Sequence, residues 1–393
     1  MLFGWGQILP GTSVPGDFLS SVAPWSAVVA GPPANPLFGD PVLSIYPYRK
    51  FVNDELQRGG FPLWNPYIFA GQPVTADPDM ALFYPGTLAL GWLSAGTAFD
   101  VHILVHMFVS ALGMYALVRV WGGGQFAAVM AGAAFCGSSA MTVWRLYGNL
   151  MSVAAWLPWL VVCFEMSLRR RSAAWIGAGG VVLGLIFTAN FLQWALYDVL
   201  LLGSYATWLT VFSGPGGRLR PLLHAAAIVA LGIGVGAVQL WPLQELVSLS
   251  ERAEPLGRKV LSRGTLLPIE LLTLLAPNFL GSSVVSGTYW GPKNYAEATA
   301  YFGFYPLVLA LAAPLWRSER TVWFLSIFLL LTASWALDSP TLGLLTWLPG
   351  FNVFMHQRMI YLVCFCGAVL FALALDSLFR PGRAWALEIA AVL

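Results

Sequence analysis

From residue 99 onward the chain keeps returning to apolar runs of about twenty residues, the length needed to cross roughly 30 Å of hydrocarbon. Runs at 99–118, 125–143, 150–168, 173–192, 195–212, 222–241, 300–316, 321–338 and 359–379 are separated by short connections, and another begins at 384. A run in lipid must satisfy its backbone N–H and C=O groups internally, which a helix does. Only 10% of the 393 residues are charged, against roughly 25% in a soluble domain, so too little polar surface exists to cover the chain in water. The fold class is all-α: a polytopic transmembrane helical bundle with a large extracytoplasmic first loop.

Basic residues in the short connections set the orientation. Arg119, then Arg169 to Arg171, Arg218 and Arg220, Arg317 and Arg320, and Arg380 and Arg383 fall at every second connection, ten of the twenty Lys and Arg, with Glu319 the one acid between them. Those turns are expected on the cytoplasmic side of a plasma (inner) membrane. The alternate connections are then extracytoplasmic, and two of them are long. The expected organisation is a Pro- and aromatic-rich loop over 1–98, transmembrane helices over 99–241, a second outer loop over 242–299, and transmembrane helices over 300–393. Both ends are expected to be cut, with a signal-anchor helix upstream and the last apolar run continuing past Leu393.

The first loop is unusual for an oily chain. Thirteen of the twenty-six prolines lie in the first 85 residues. Proline lowers the entropy lost on ordering, and Trp25, Tyr46, Tyr48, Trp64, Tyr67 and Tyr84 suit a membrane interface. A structured cap is expected here, with "FVNDELQRGG" (51–60) a short amphipathic helix closed by glycine. The stretch 80–98, "MALFYPGTLALGWLSAGTA", is expected to lie in the interface and not to span, because Pro85, Gly86, Gly91 and Gly96 interrupt it. Residues 265–281 and 340–351 read the same way.

The net charge of +2 gives no footprint for nucleic acid. Cys136, Cys163, Cys364 and Cys366 all sit in apolar runs and read as small buried hydrophobes. His102 and His106, four apart on one helix face, suit a metal or a hydrogen-bonded interior pair; with no third ligand nearby in sequence the interior pair is expected.

Several blocks in order carry a resemblance: "NPLFGDPVLSIYPYRKFVNDELQRGGFPLWNPYIFAGQP", "HMFVSALGMYALVR", "NLMSVAAWLPWLVVCFE", "LQWALY", "AVQLWPLQEL", "NYAEATAYFG" and "LPGFNVFMHQRMIYL". Together they resemble bacterial YfhO-type membrane proteins, a family similar to GT-C-type glycosyltransferases. The chain departs from that pattern at Ser44, where Gln is usual, at "DPDM" (77–80), where Asn-Pro-Gln-Ser is usual, and in lacking the first helix.

The resemblance implies a GT-C-like bundle that transfers a sugar from a polyprenyl-phosphate-linked donor to a cell-envelope polymer or lipid acceptor at the outer face. Such transfer needs a base for the acceptor hydroxyl and positive charge for the phosphate that leaves. Asp40, in the loop where the family carries its functional carboxylate, is the candidate base; its other reading is a helix cap. Arg49 and Lys50 follow the Tyr-Pro pair and suit either phosphate or lipid headgroups. Trp64, Asn65 and Tyr67 of the "PLWNPY" block, Glu297 and Arg358 are the remaining substrate-binding candidates, the guanidinium of Arg358 suiting a phosphate fork. Asp77 and Asp79 are candidate oxygen ligands for a divalent cation, or solvated turn residues. Asn190, Gln193 and Asp198 flank an outer turn and suit a cleft lining.

Two other functions compete. A transporter or flippase usually sets ionisable groups at mid-membrane, whereas here they sit near span ends: Asp198 and His106 outward, Glu165, His224 and Asp376 inward. A non-catalytic assembly protein would use the proline-aromatic cap to hold partners.

Overall fold

The computed structural model describes residues 40, 44–77, 79–212, 219–250, 253, 264–282, 288–337 and 339–379. Most of the proline-rich opening, the run from 384, and Arg218, Arg380 and Arg383 lie outside them. Helix α1 (Tyr46–Gln57) starts on Pro47 and ends at Arg58, after which Gly59 takes φ +79°, the glycine stop expected from "RGG". A two-residue hairpin follows, β1 (Trp64–Asn65) pairing antiparallel with β2 (Gln72–Pro73). Val52 of α1, with Val74, Met80 and Leu82 of the loop, forms a small core of its own. Helix α2 (Pro85–Leu90) has six residues, or about 9 Å. No helix long enough to span lies within 80–94, and 95–98 form the first turn of the next helix.

The bundle follows: α3 (Ala95–Val120), α4 (Gln125–Cys136), α5 (Asn149–Arg170), α6 (Ala173–Thr188), α7 (Leu192–Phe212), α8 (Arg220–Ser248), α9 (Phe304–Trp316), α10 (Arg320–Ala336) and α11 (Ile360–Leu378). Ser94 caps α3, its hydroxyl accepting from Thr97 N. Five of the described segments are long and apolar enough to cross a membrane: α3, α5, α7, α8 and the stretch His356–Leu378 that includes α11. Helices α4, α6, α9 and α10 are shorter and apolar. Of these five, α5 and the stretch that includes α11 are the most enclosed. Helix α8 runs to Ser248, past Pro242 and beyond the expected end at 241.

The run expected over 125–143 is not one helix. α4 stops at Cys136, and Gly137, Ser138 and Ser139 lead into the short helix Ser139–Thr142 and a 3₁₀ turn over Trp144–Tyr147. The backbone is recaptured across the bundle: Ser139 N donates to Tyr301 O at 2.7 Å and Ser139 Oγ to Thr299 O at 2.8 Å. Broken helices are tolerated at membrane depth where neighbouring protein re-satisfies the freed groups. The partner stretch 299–303 is correspondingly non-helical, and α9 begins at 304, not 300.

Small residues let helices approach without a hydrophobic drive between them. Between α6 and α8 a Cβ on Gly232 would stand 2.8 Å from Leu183 Cβ, and one on Gly236 2.7 Å from Phe187 Cβ. Leu183 is fully buried, so Gly232→Leu is expected to lower stability by about 1–3 kcal/mol through overpacking. Gly234, on the same helix, faces open space, and Gly234→Leu is the neutral control. Thermal unfolding in detergent separates them; equal midpoints would refute this packing.

Many polar groups collect toward the two ends of the bundle, while His106 of α3 and Asp198 of α7 are buried within it. At one end Glu165 accepts from Trp121 Nε1 at 2.8 Å, from Arg169 Nε at 3.1 Å and from the Tyr205 hydroxyl. Nearby, Asp376 accepts from Gly124 N at 2.7 Å and lies 3.9 Å from Arg317. His224 meets Ser167 Oγ at 2.9 Å. The described basic connections therefore share one end. The other end holds the candidate site.

Candidate functional site

The 3₁₀ turn after the broken helix brings Trp144 and Tyr147 to the end opposite the basic turns. Tyr147 Oη donates to Asp40 Oδ2 at 3.3 Å, a long bond for two oxygens. Asp40 is exposed, and its carbonyl accepts from Ser44 Oγ at 3.0 Å. The Tyr147 phenol is held above its ordinary value, first by burial and then by the Asp40 charge, with Arg358 opposing. Its hydroxyl remains a donor at neutral pH.

Arg358, in the 3₁₀ turn His356–Met359 that leads into α11, faces the same turn. Its guanidinium lies over Trp144 at 5.0 Å and Phe191 at 5.5 Å, favourable cation–π stacking. It forks onto Glu297, with Nε 3.0 Å from both carboxylate oxygens and Nη2 2.5 Å from Oε1. The Nη1 edge is left by Glu297 and faces Gln193 Oε1 at 3.5 Å. Gln193 in turn donates to Tyr197 Oη at 2.8 Å and Met355 O at 2.5 Å. Tyr197 Oη meets His356 Nδ1 at 3.2 Å, and His356 Nε2 meets Phe351 O at 2.8 Å. Trp194 stacks on Tyr361 at 4.3 Å and packs edge-on against Trp144. An acid, a phenol and a stacked cation thus share one corner.

The other expected residues are placed elsewhere. Arg49 is buried, its Nη1 donating to Thr87 Oγ1 at 2.6 Å, and burial lowers its pKa to about 10. No carboxylate pairs with it among the described residues. Its Nη2 lies 4.0 Å from the position a Cβ would take on Gly148, which has φ +54° and follows Tyr147 directly. Lys50 points away and pairs with Asp54 at 2.7 Å, beside a polar hollow that includes Ser94 and Asp100.

Trp64 and Tyr67 are exposed on the hairpin, and Tyr67 packs on Phe51 of α1. Asn65 is buried and closes the hairpin turn, its Oδ1 accepting from Tyr67 N at 3.0 Å. Among the described residues no hydrogen bond or ring contact joins these three to Asp40 or Arg358.

Asp77 is buried, which raises its pKa against hydrogen bonds from Asp79 N, Gln72 and Met80 N. Asp79 N donates to its Oδ1 at 2.8 Å and Gln72 Nε2 to its Oδ2. Among the described residues no three His, Cys, Asp or Glu side chains come together, while a calcium ion takes six to eight oxygens. Asp77 is held within a hydrogen-bonded turn, further tied down by Asn190 Nδ2 to Asp77 O at 2.9 Å.

His102 and His106 form the interior pair. Their rings stack at 4.0 Å. His106 Nδ1 lies 2.7 Å from His102 O and its Nε2 takes the Tyr84 hydroxyl. His102 Nε2 meets Ser152 Oγ at 2.8 Å. Asp198 is sealed inside the bundle, accepting from Tyr361 Oη at 2.5 Å, and lines no cleft.

Trp144 and Tyr147 were not legible as site residues. The one local signal was Gly137-Ser138-Ser139 interrupting an apolar run. Fold and site together define a polytopic α-helical membrane protein with a polar-aromatic cluster at one end of the bundle. The chain matches no family model, no curated protein and no solved structure.

Proposed function

We propose that this protein is a membrane glycosyltransferase of the GT-C type, moving a sugar from a polyprenyl-phosphate donor to a cell-envelope acceptor at the extracytoplasmic face. The observation that carries the reading is the meeting of Asp40, Tyr147 and Arg358 at the end remote from the basic turns. Asp40 takes the proton of the acceptor hydroxyl as its oxygen attacks the anomeric carbon. The bond from that carbon to the phosphate oxygen breaks, and the phosphate leaves with the electron pair toward the Nη1 edge of Arg358. Trp144 and Phe191 hold the guanidinium, and Glu297 orients it. Basic turns are cytoplasmic by the positive-inside rule, which sets this corner outside.

Reconstitution in liposomes with a radiolabelled polyprenyl-phosphate sugar tests the reading. Transfer of label to an acceptor supports it. Label that crosses the bilayer still joined to its lipid would make the protein a flippase instead. A reporter near residue 60 is expected outside, and cytoplasmic labelling there would overturn the orientation.

A further inference from the structure

The β1–β2 hairpin presents a surface that has no part in the polar corner. Residues 59–76 carry no charged side chain, although α1, just before them, holds Arg49, Lys50, Asp54 and Glu55. Phe61, Leu63, Trp64, Tyr67 and Phe69 stand exposed along this stretch, Tyr67 by 80% and Phe69 by 84%. The backbone holds the tip in a strained form: Phe69 and Ala70 take φ +48° and +60°, ahead of Gly71 at +109°. Non-glycine residues persist in the left-handed region only where the surrounding structure enforces it, and such strain collects at functional segments. Gly71 is needed for a second reason, since a Cβ there would stand 2.6 Å from Trp64 Cζ2.

The hairpin is pinned at a definite level of the bundle. Just past β2, Thr75 O accepts from Gln239 Nε2 at 2.6 Å. Gln239 lies 19 residues beyond Arg220 on α8, about 28 Å along the axis. Asn190, which holds Asp77, follows α6 at the end remote from Arg169 to Arg171, and the 16 residues of that helix rise about 24 Å. Both lengths approach the roughly 30 Å of a hydrocarbon core, so the foot of the hairpin lies near the boundary opposite the basic turns. An uncharged aromatic surface at that level meets headgroups and the first carbons of the acyl chains, where Trp and Tyr are enriched. A saccharide fits it less well, because sugar hydroxyls need polar partners and both hairpin amides are engaged, Asn65 with Tyr67 N and Gln72 with Asp77.

We propose that the tip of this hairpin inserts into the adjoining leaflet and anchors the first loop to the bilayer, with Phe69 in hydrocarbon and Trp64 and Tyr67 at headgroup level. Trp64 and Tyr67 then grip lipid and do not bind substrate. Tyr67 packs on Phe51 of α1, and Val74 of the loop joins Val52 of α1 in one small core, so the anchored tip also sets the level of α1. The inference stands on placement and composition alone and holds whichever chemistry the polar corner performs.

Phe69→Cys and Arg58→Cys, both at exposed positions, are each labelled with a nitroxide in nanodiscs of phosphatidylethanolamine and phosphatidylglycerol. The unsubstituted chain reports any label on its own cysteines. The ratio of collisions with oxygen to collisions with a nickel chelate is expected to be at least about tenfold higher at 69 than at 58, because hydrocarbon excludes the polar complex and admits oxygen. Equal ratios place the tip in water and overturn the inference. A label at 69 shielded from both oxygen and nickel means that protein covers the tip, a second copy or a partner, and overturns it as well. A second measurement needs no substitution: phosphatidylglycerol with a diazirine near its ester is photolysed around the wild-type chain and the adducts are mapped. Adducts are expected within 61–71, and adducts on α8 with none on the hairpin overturn the inference.

Discussion

Asp40→Asn is expected to lower kcat for sugar transfer by about 10²–10⁴, the usual contribution of a positioned base, with KM nearly unchanged. Asparagine keeps the shape and still accepts from Tyr147 Oη, which lies 3.3 Å from the carboxylate, but it cannot take the acceptor's proton. A group that acts only in the transition state leaves ground-state binding alone. Asp40 is exposed and ties to the fold through its carbonyl, to Ser44, so the change should not disturb folding. Steady-state kinetics in liposomes decide the matter: transfer at the wild-type rate would remove Asp40 from the chemistry.

Arg358→Gln is expected to act on both stability and binding, and a double variant separates the two. The side chains of Arg358 and Glu297 are 28% and 13% exposed, so removing the cation strands a largely buried carboxylate, at about 3 kcal/mol. Stacking on Trp144 and Phe191 is lost as well. Adding Glu297→Gln removes the stranded charge and should restore much of the unfolding midpoint. Capture of polyprenyl phosphate should stay at least about tenfold weaker, because no cation then faces the phosphate. Recovery of both stability and capture in the double variant would reduce Arg358 to a structural partner. Arg358→Lys tests the fork itself: an ammonium keeps the charge but offers no planar pair of donors.

The helical class and most span positions were legible because each is a local consequence of run length and interruption. Nine apolar runs appear in the described residues as helices near their expected bounds, with the break in the second at Gly137 as the main exception. Pro85 and Gly91 marked 80–98 as too broken to span, and a six-residue helix forms there. The site was legible only in part. Asp40, Glu297 and Arg358 were nameable singly, yet nothing in their spacing says that Glu297 forks onto Arg358 or that Tyr147 stands beside Asp40. Asp77 and Asp79 read as cation ligands or as solvated turn residues, and their spacing alone did not show that Asp77 folds inward onto Gln72 and the backbone of Asp79.

The amino-acid order alone determined that this is a membrane-embedded helical chain, since a backbone in lipid must close its hydrogen bonds within each run. It also marked one set of ends by their arginines. Tertiary structure decided which side chains share a corner and where a helix breaks so that Ser139 bonds the 299–301 stretch. Those outcomes depend on the packing of surfaces far apart in the chain. Helix formation is set within a few turns, whereas the meeting of Asp40, Tyr147 and Arg358 is set by close-packed contacts of the whole bundle.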